Sequence, residues 1–296
     1  MEIWVAQLFT GISLASILLL VALGLTFTFG QMNVVNMAHG EFIMAGAYTA
    51  FVVQGVLGAQ LLSISIPVAL VLAFVVAGAI GLLMERTILR RLYARPLDTL
   101  VVTWGVSLIL QQLARMIFGA QNVEVRAPTW LSGGLAIHGV TFPYSRLFIL
   151  AVVALSIAAI WFLMNRFPYG RQMRAVVQHR QLAATSGIRT HSVDATTFFV
   201  GSGLAGMAGV ALTLLGPIGP TLGTNYLVDA FLVVVVGGLG QLPGAVIAAL
   251  ALGLLNATLE FNTNASLARV LVFVAIVAFL QFRPQGLIAL RTRALR

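Results

Sequence analysis

Long uncharged stretches separated by short charged ones dominate this amino-acid sequence. The four longest are Ile3–Ala38, Phe42–Met84, Ala195–Val228 and Ala230–Leu259. A membrane-spanning helix needs about 20 apolar residues, so each stretch predicts either more than one crossing or a broken helix. Turn residues divide the chain into predicted helices that give about eight or nine crossings. These helices cover 4–29, 42–58, 61–84, 99–118, 146–165, 195–215, 228–242 (short, glycine-ended and a re-entrant candidate), 244–260 and 266–282.

The composition supports the same fold class. Of 296 residues, 60% are hydrophobic and 8% are charged, and the mean hydropathy is +1.01. A soluble domain carries about 25% charged residues, so this chain cannot cover itself with a water-facing surface. We expect an all-α integral membrane protein with broken or re-entrant segments. No low-complexity linker divides the chain, and residues 1–296 are therefore predicted to form a single domain.

Several classes of chemistry are excluded by the residues that are missing. All 17 basic residues are arginine, so the chain has no P-loop lysine and no Schiff-base lysine. It also has no cysteine, and its four histidines are scattered. No metal centre, cofactor or convergent catalytic set is predicted, and we do not expect an enzyme.

The arginines also predict an orientation in the membrane. Thirteen of them fall into three clusters, at 86–95, 166–189 and 283–296. Arginine is enriched in cytoplasmic loops, so all three clusters and the C-terminus are expected in the cytoplasm. The net charge of +9 is thereby explained without nucleic acid. The segment 119–145 is then a polar loop on the other side.

One polar segment interrupts the apolar N-terminal region. Asn33, Asn36, His39 and Glu41 follow one another within eleven residues, and glycines flank them. Ionisable groups at membrane depth are costly and need an interior or watery location. Glu41 is expected in the first turn of the next helix, where the helix dipole favours a carboxylate. The segment can serve only to cap a broken helix, or it can border the path of a substrate.

A second candidate for such a path lies in the C-terminal half. Asp229 stands alone between two long uncharged stretches, with Asn225 just before it. It can face the path, or it can mark a helix start at the interface. Gln111 and Arg115 share one face of a predicted helix, where Arg115 is expected to extend towards the membrane surface.

The segment 170–188 is the most diagnostic part of the chain. It predicts a short helix that contains a pair of alanines and ends at a glycine, between two membrane helices. Taken alone, it is also compatible with an ordinary basic loop. Its pattern, AVVQHRQLAATSGI at 175–188, resembles the coupling loop of ABC importer permeases of the branched-chain amino acid type.

Three further segments carry the same resemblance, which extends over nearly the whole chain. They are NVVNMAHGEFIMAGAYTA at 33–50, GGLGQLPGAVIAAL at 237–250 and RPQGL at 283–287. Within this family, the segments 97–134, 170–183 and 225–240 are most similar to the first permease of urea importers. One departure is the Ala-Ala-Thr-Ser sequence before the glycine, where urea-type members tend to carry Ala-Arg.

The resemblance implies a function and a set of partners. The chain is expected to be a permease in the bacterial inner membrane that imports urea by alternating access, together with a second homologous permease. Two cytoplasmic ATPase subunits and a periplasmic binding protein complete the expected complex. A branched-chain amino acid importer is the first alternative, and a stand-alone channel or secondary transporter is the second. The implied ATPase-coupling residues are Arg174, Gln178, Ala183, Ala184 and Gly187.

Overall fold

The computed structural model describes residues 2–32, 35–93, 95–137 and 140–288 of the chain. In these residues, eleven α-helices and one short hairpin follow one another. The helices are α1 (Glu2–Met32), α2 (His39–Leu57), α3 (Leu62–Thr87), α4 (Pro96–Phe118), α5 (Tyr144–Arg166), α6 (Pro168–Gln178), α7 (Arg180–Thr185), α8 (Thr190–Thr213), α9 (Leu222–Gly237), α10 (Leu242–Asn262) and α11 (Ala265–Phe282). The antiparallel strands are β1 (Gly134–Ile137) and β2 (Val140–Pro143).

Eight helices within the described residues are long and apolar enough to cross a membrane, which confirms the predicted fold class. They are α1, α2, α3, α4, α5, α8, α10 and α11. The apolar helix α9 has 16 residues and, at 1.5 Å per residue, is only about 24 Å long. It is therefore too short to cross a bilayer of about 30 Å alone.

Several element boundaries differ from the sequence prediction, and α8 begins at Thr190, not at 195. Helix α2 begins at His39, not at 42, and α9 covers Leu222–Gly237, not 228–242. Both predicted starts were placed at the edge of an apolar stretch, but each helix continues through polar residues. His39 lies close to the carbonyl of Val21, and Asn225 and Asp229 line a cavity. In 170–188, two helices replace the expected single one, because the backbone of His179 is extended.

Helix α8 lies at the centre of the bundle and packs through glycines. Gly201 contacts Gly24 of α1 so closely that a side-chain carbon on either glycine would meet the other backbone, and a side-chain carbon on Gly46 of α2 would meet the backbone of Gly206. On a third side, Gly203 packs against Phe74 of α3. Small residues let membrane helices approach to backbone distance, and here they hold three helices around one.

The bundle has two distinguishable ends. At the loop end, the amide Nε2 of Gln54 in α2 donates to the carbonyl of Arg126, 2.8 Å away, in the segment that contains the hairpin. At the arginine-rich end, Gly30 of α1 packs against Gly240, and the N–H of Leu287 donates to the carbonyl of Val236. Helices α6 and α7 also lie at this end, where the arginines cluster.

Candidate functional site

Helices α2 and α9 both begin inside the bundle, and their first turns are in contact. A side-chain carbon on Gly40 would lie 2.6 Å from the carbonyl oxygen of Gly223. From this contact, α2 runs to the loop end and α9 runs to the arginine-rich end. We call the two first turns, His39–Glu41 and Leu222–Asn225, the helix junction. Two positive helix-dipole ends meet there, which favours negative charge inside the membrane.

Glu41 lies in the first turn of α2, as the sequence predicted, and its side chain joins three helices. Its Oε1 accepts hydrogen bonds from the hydroxyl of Ser107 at 2.8 Å and from the amide of Gln111 at 2.9 Å, both in α4. The amide nitrogen of Gln111 also lies 3.1 Å from the hydroxyl of Thr224, in α9. We call these four residues the Glu41 network. Glu41 is 1% exposed, so this carboxylate is held inside the protein.

Helix α4 supplies the polar side of this network. Its buried polar residues recur every fourth position, at Thr99, Thr103, Ser107 and Gln111, while its opposite face exposes large apolar residues. The hydroxyl of Thr103 accepts a hydrogen bond from the N–H of Met37, before α2. Sequence reasoning singled out Gln111 but missed Ser107. The four-residue spacing of hydroxyl and amide residues was the signal that identifies this face.

The remaining residues of the N-terminal polar segment hold the start of α2 in place. Oδ1 of Asn36 accepts the N–H of Ala38 at 3.0 Å, and Nε2 of His39 lies 3.3 Å from the carbonyl of Val21 in α1. Asn36 is 1% exposed and His39 is fully buried. Asn33 lies outside the described residues. Asn36 and His39 therefore contact neighbouring backbone and are buried away from solvent.

Asp229 has a different environment. It lines a cavity of about 500 Å³ formed by α9, α10 and α11, with one contribution from α1. Asp229 lies two turns after the first residue of α9, so the interpretation that it marks a helix start is wrong. The cavity combines polar and apolar walls. Its polar residues are Thr224, Asn225, Asp229, Asn256 and Arg269, and its apolar ones include Leu18, Val228, Leu232, Leu252, Phe273 and Ile276.

Two opposite charges face this cavity without pairing. Asp229 and Arg269 interact electrostatically. Both belong to the described part of the chain, and the ion pairs found there, with N···O distances up to 4.0 Å, involve other residues. Asn225, in the first turn of α9, and Arg269, in the second turn of α11, are exposed on the surface of the single chain. Such groups avoid lipid, so this surface faces water or another protein.

The residues with an implied coupling role lie at the arginine-rich end. Arg174 and Gln178 are exposed and line a cavity of about 330 Å³ that also includes Gly30 and Gly240. Ala184 is exposed and lines a second cavity, of about 720 Å³.

The other two coupling residues shape the end of α7. Ala183 is 4% exposed and faces inward, so its side chain offers almost no docking surface. Gly187 has φ +85°, a conformation that favours glycine, and its N–H donates to the carbonyl of Ala184 at 3.1 Å. This glycine therefore ends α7 and turns the chain towards α8.

Comparison with known proteins identifies the family. A family profile described as "Branched-chain amino acid transport system / permease component" matches residues 7–280. The high-affinity branched-chain amino acid transport system permease protein BraD of Pseudomonas aeruginosa is 30% identical, over 96% of this chain and 95% of its own. Its counterpart LivH of Escherichia coli (strain K12) is 29% identical, over 95% and 94%.

More distant similarity extends to sugar permeases. The ribose import permease protein RbsC of Haemophilus influenzae is 26% identical, over 87% of this chain and 80% of its own. No solved structure matches the chain. The expected urea subtype finds no support in these relatives, and the branched-chain amino acid alternative fits them better. The chain belongs to the family of permease components of branched-chain amino acid transport systems.

Proposed function

We propose that this chain is one of two homologous permeases in an ABC importer for amino acids with aliphatic side chains. Its path runs along the cavity between α9, α10 and α11. The observation that carries the proposal is the unpaired Asp229 and Arg269 in one membrane-level cavity with a largely apolar wall. The names of the relatives support the same class of substrate.

The chemistry of the cavity matches a zwitterion better than urea. An amino acid carries an ammonium group, for which a carboxylate is the natural acceptor, and a carboxylate, which a guanidinium binds through two parallel hydrogen bonds. An aliphatic side chain additionally needs apolar walls, which Leu232, Leu252 and Ile276 offer here. Urea is neutral and has no aliphatic group, so it uses neither the two charges nor the apolar wall.

The buried residues before and within α2 take a supporting role in this proposal. The helix junction is stabilised by the buried residues Asn36, His39 and Glu41, and the substrate is contacted by Asn225 and Asp229 of α9. Alternating access then requires the junction to move relative to α10 and α11. Such motion opens the cavity to one side of the membrane at a time.

The energy for transport comes from other chains in this proposal. The sequence has no lysine and hence no P-loop lysine, so two separate ATPase subunits are needed. By the positive-inside rule, the arginine-rich end and the C-terminus lie in the cytoplasm of a bacterium, where these subunits dock. A periplasmic binding protein delivers the amino acid at the loop end.

Uptake by the reconstituted complex in proteoliposomes tests the proposal. Labelled leucine should be taken up with ATP, and urea should not compete. Asp229→Asn and Arg269→Gln should each lower leucine uptake about tenfold or more, because a lost charge-assisted hydrogen bond costs roughly 1.5–3 kcal/mol. Glu260→Gln removes an exposed acid of α10 outside the lining residues and serves as the matched control.

Two results would overturn this assignment. If saturable urea uptake replaced leucine uptake, the amino acid class would be wrong while the importer remained. If the chain alone moved solute without ATPase subunits, the importer itself would be rejected in favour of a channel or secondary transporter.

A further inference from the structure

A buried polar cluster connects α7 to the membrane helices at the arginine-rich end. We call it the polar joint, and it consists of Glu85 in α3, Tyr93 in the loop after α3, Arg180 in α7 and Asp194 in α8. Both carboxylates are fully buried, and the side chain of Arg180 is 42% exposed. The joint therefore begins at the protein surface and extends inward.

The contacts within the joint are directional. Nη1 of Arg180 donates to Oδ1 of Asp194 at 3.1 Å, and Nη2 donates to Oδ2. The guanidinium carbon lies 5.5 Å from the centre of the Tyr93 ring, within range of a cation–π interaction. The hydroxyl of Tyr93 donates to Oε1 of Glu85 at 2.8 Å. Hydrogen bonding to Asp194 raises the pKa of Arg180, so this group stays charged.

A second contact fixes the neighbouring helix to the same part of α8. The hydroxyl of Tyr169, in α6, forms a hydrogen bond with the hydroxyl of Thr197. Thr197 lies three residues after Asp194, on the same face of α8. Helices α6 and α7 are thus both attached to the first two turns of α8. Their outer surface stays free, and Leu182 exposes 61% of its area there.

Helix α8 continues from these attachments to the helix junction. Phe198, one residue after Thr197, packs edge-on against Phe42 of α2, with ring centres 6.3 Å apart. Phe42 directly follows Glu41 in the sequence. Chains of packed and hydrogen-bonded side chains can carry energetic coupling between distant sites, and such a chain runs from α7 through α8 to the start of α2.

We propose that Arg180 is a positioning residue that transmits movement of a docked ATPase subunit to α8, through its paired hydrogen bonds with Asp194. This inference rests on the proposed function, because it assumes that separate ATPases dock on α6 and α7. A loop attached only by its chain ends would move without displacing the membrane helices. The polar joint makes α7 and α8 move together.

The ratio of substrate imported to ATP hydrolysed, measured in the reconstituted full complex, tests this role. In Arg180→Ala, the ATPases should still co-purify and hydrolyse ATP, while leucine uptake per ATP falls about tenfold, within the roughly 5–150-fold range of allosteric coupling. In Arg180→Lys, leucine uptake per ATP should lie between that of the unaltered protein and that of Arg180→Ala, because lysine cannot form the two paired hydrogen bonds. Arg91→Ala removes an exposed arginine from the same end and should leave the ratio unchanged.

A double variant separates transmission from folding. Arg180→Ala leaves a buried carboxylate unpaired, which alone can unfold the region. Asp194→Asn in the same chain removes that charge, so the protein amount should recover while uptake per ATP stays low. The exchange Arg180→Asp with Asp194→Arg should restore part of the ratio.

The outcomes of this test are distinct from those of the proposed function. The inference is overturned if uptake per ATP is normal in the single and double variants, or if uptake and ATP hydrolysis fall in parallel as the complex dissociates. If the unaltered chain binds no ATPase subunit at all, the proposed function itself fails.

Discussion

Glu41 and Asp229 are two membrane-level carboxylates with opposite surroundings. Each belongs to a helix that begins inside the bundle, and each stands among apolar residues in the sequence. Glu41 is 1% exposed and receives hydrogen bonds from Ser107 and Gln111. Asp229 lines a cavity and has Arg269 across it without an ion pair among the described residues. The difference is set by the neighbouring helices, not by the local sequence.

Glu41 and Asp229 are therefore expected to have different roles. The Oε1 atom of Glu41 ties α2 to α4 through hydrogen bonds from neutral donors, and at 1% exposure this carboxylate is out of reach of a ligand. A carboxylate that faces a cavity opposite a free guanidinium offers binding capacity to whatever enters. Changes at the two sites are therefore expected to have separable effects on stability and on uptake.

The largest effect is expected at the helix junction, where α2 and α9 begin. In Gly223→Val, the added side chain collides with the backbone of Gly40, and neither chain segment can withdraw without displacing its helix. Overpacking costs roughly 1–3 kcal/mol even in side-chain cores, and backbone contacts give less room. We expect loss of both folded protein and uptake, measured by detergent-extracted yield and by transport.

Gly55→Val is the matched control for this prediction. Gly55 lies in α2, and a side-chain carbon placed there meets no atom of the described residues within 4 Å. Its yield should stay close to that of the unaltered protein. A normal yield of Gly223→Val would show that the helix junction is not closely packed.

An intermediate effect is expected at Glu41. Glu41→Ala removes the carboxylate acceptor of the buried Ser107 hydroxyl and one of the three acceptors of the Gln111 amide, which costs roughly 1–3 kcal/mol and should lower the thermal midpoint by several degrees. Glu41→Gln keeps an acceptor oxygen at the same reach and should retain most of the stability. Leucine uptake by Glu41→Gln should stay within about twofold, in contrast with the loss in Asp229→Asn.

Glu41→Gln and Asp229→Asn together test whether the two carboxylates have different roles. A tenfold loss of uptake in Glu41→Gln at normal thermal stability would place Glu41 on the substrate path and remove the distinction from Asp229.

The smallest effect is expected at Ser107. In Ser107→Ala, the Oε1 atom of Glu41 keeps the amide of Gln111 but loses one hydrogen bond, for a cost of about 0.5–1.5 kcal/mol. Ser156→Ala is the control, because that buried hydroxyl in α5 donates to the carbonyl of Val152 in its own helix, its one hydrogen bond among the described residues. A thermal midpoint no lower for Ser107→Ala than for the control would show that this bond does not stabilise the network.

Much of the fold could be predicted from the sequence. The apolar stretches are long enough to indicate each crossing, and eight spanning helices lie among the described residues. The start of α9 could not be placed, because Asn225 and Asp229 resemble a helix boundary when only the neighbouring sequence is considered. In the structure, the cavity accommodates these side chains, so the helix continues past them.

The candidate site was only partly predictable. Glu41, Asn225 and Asp229 were recognisable as polar residues in apolar surroundings. Arg269 of α11 and Ser107 of α4 were not, since their meaning depends on residues far away in the chain. The same holds for Arg180 and Asp194, which are adjacent only because α7 folds back onto α8.

The sequence by itself determined the membrane location, a number of crossings of eight or nine, and the class of protein. The length of an apolar stretch is a local property of the sequence, and it decides for each helix whether it can cross a bilayer of fixed thickness. Only the tertiary structure decided which polar groups are closed into networks and which face a cavity. The free energy of a buried charge depends on the partners within a few ångströms, and those partners come from helices that the sequence does not place side by side.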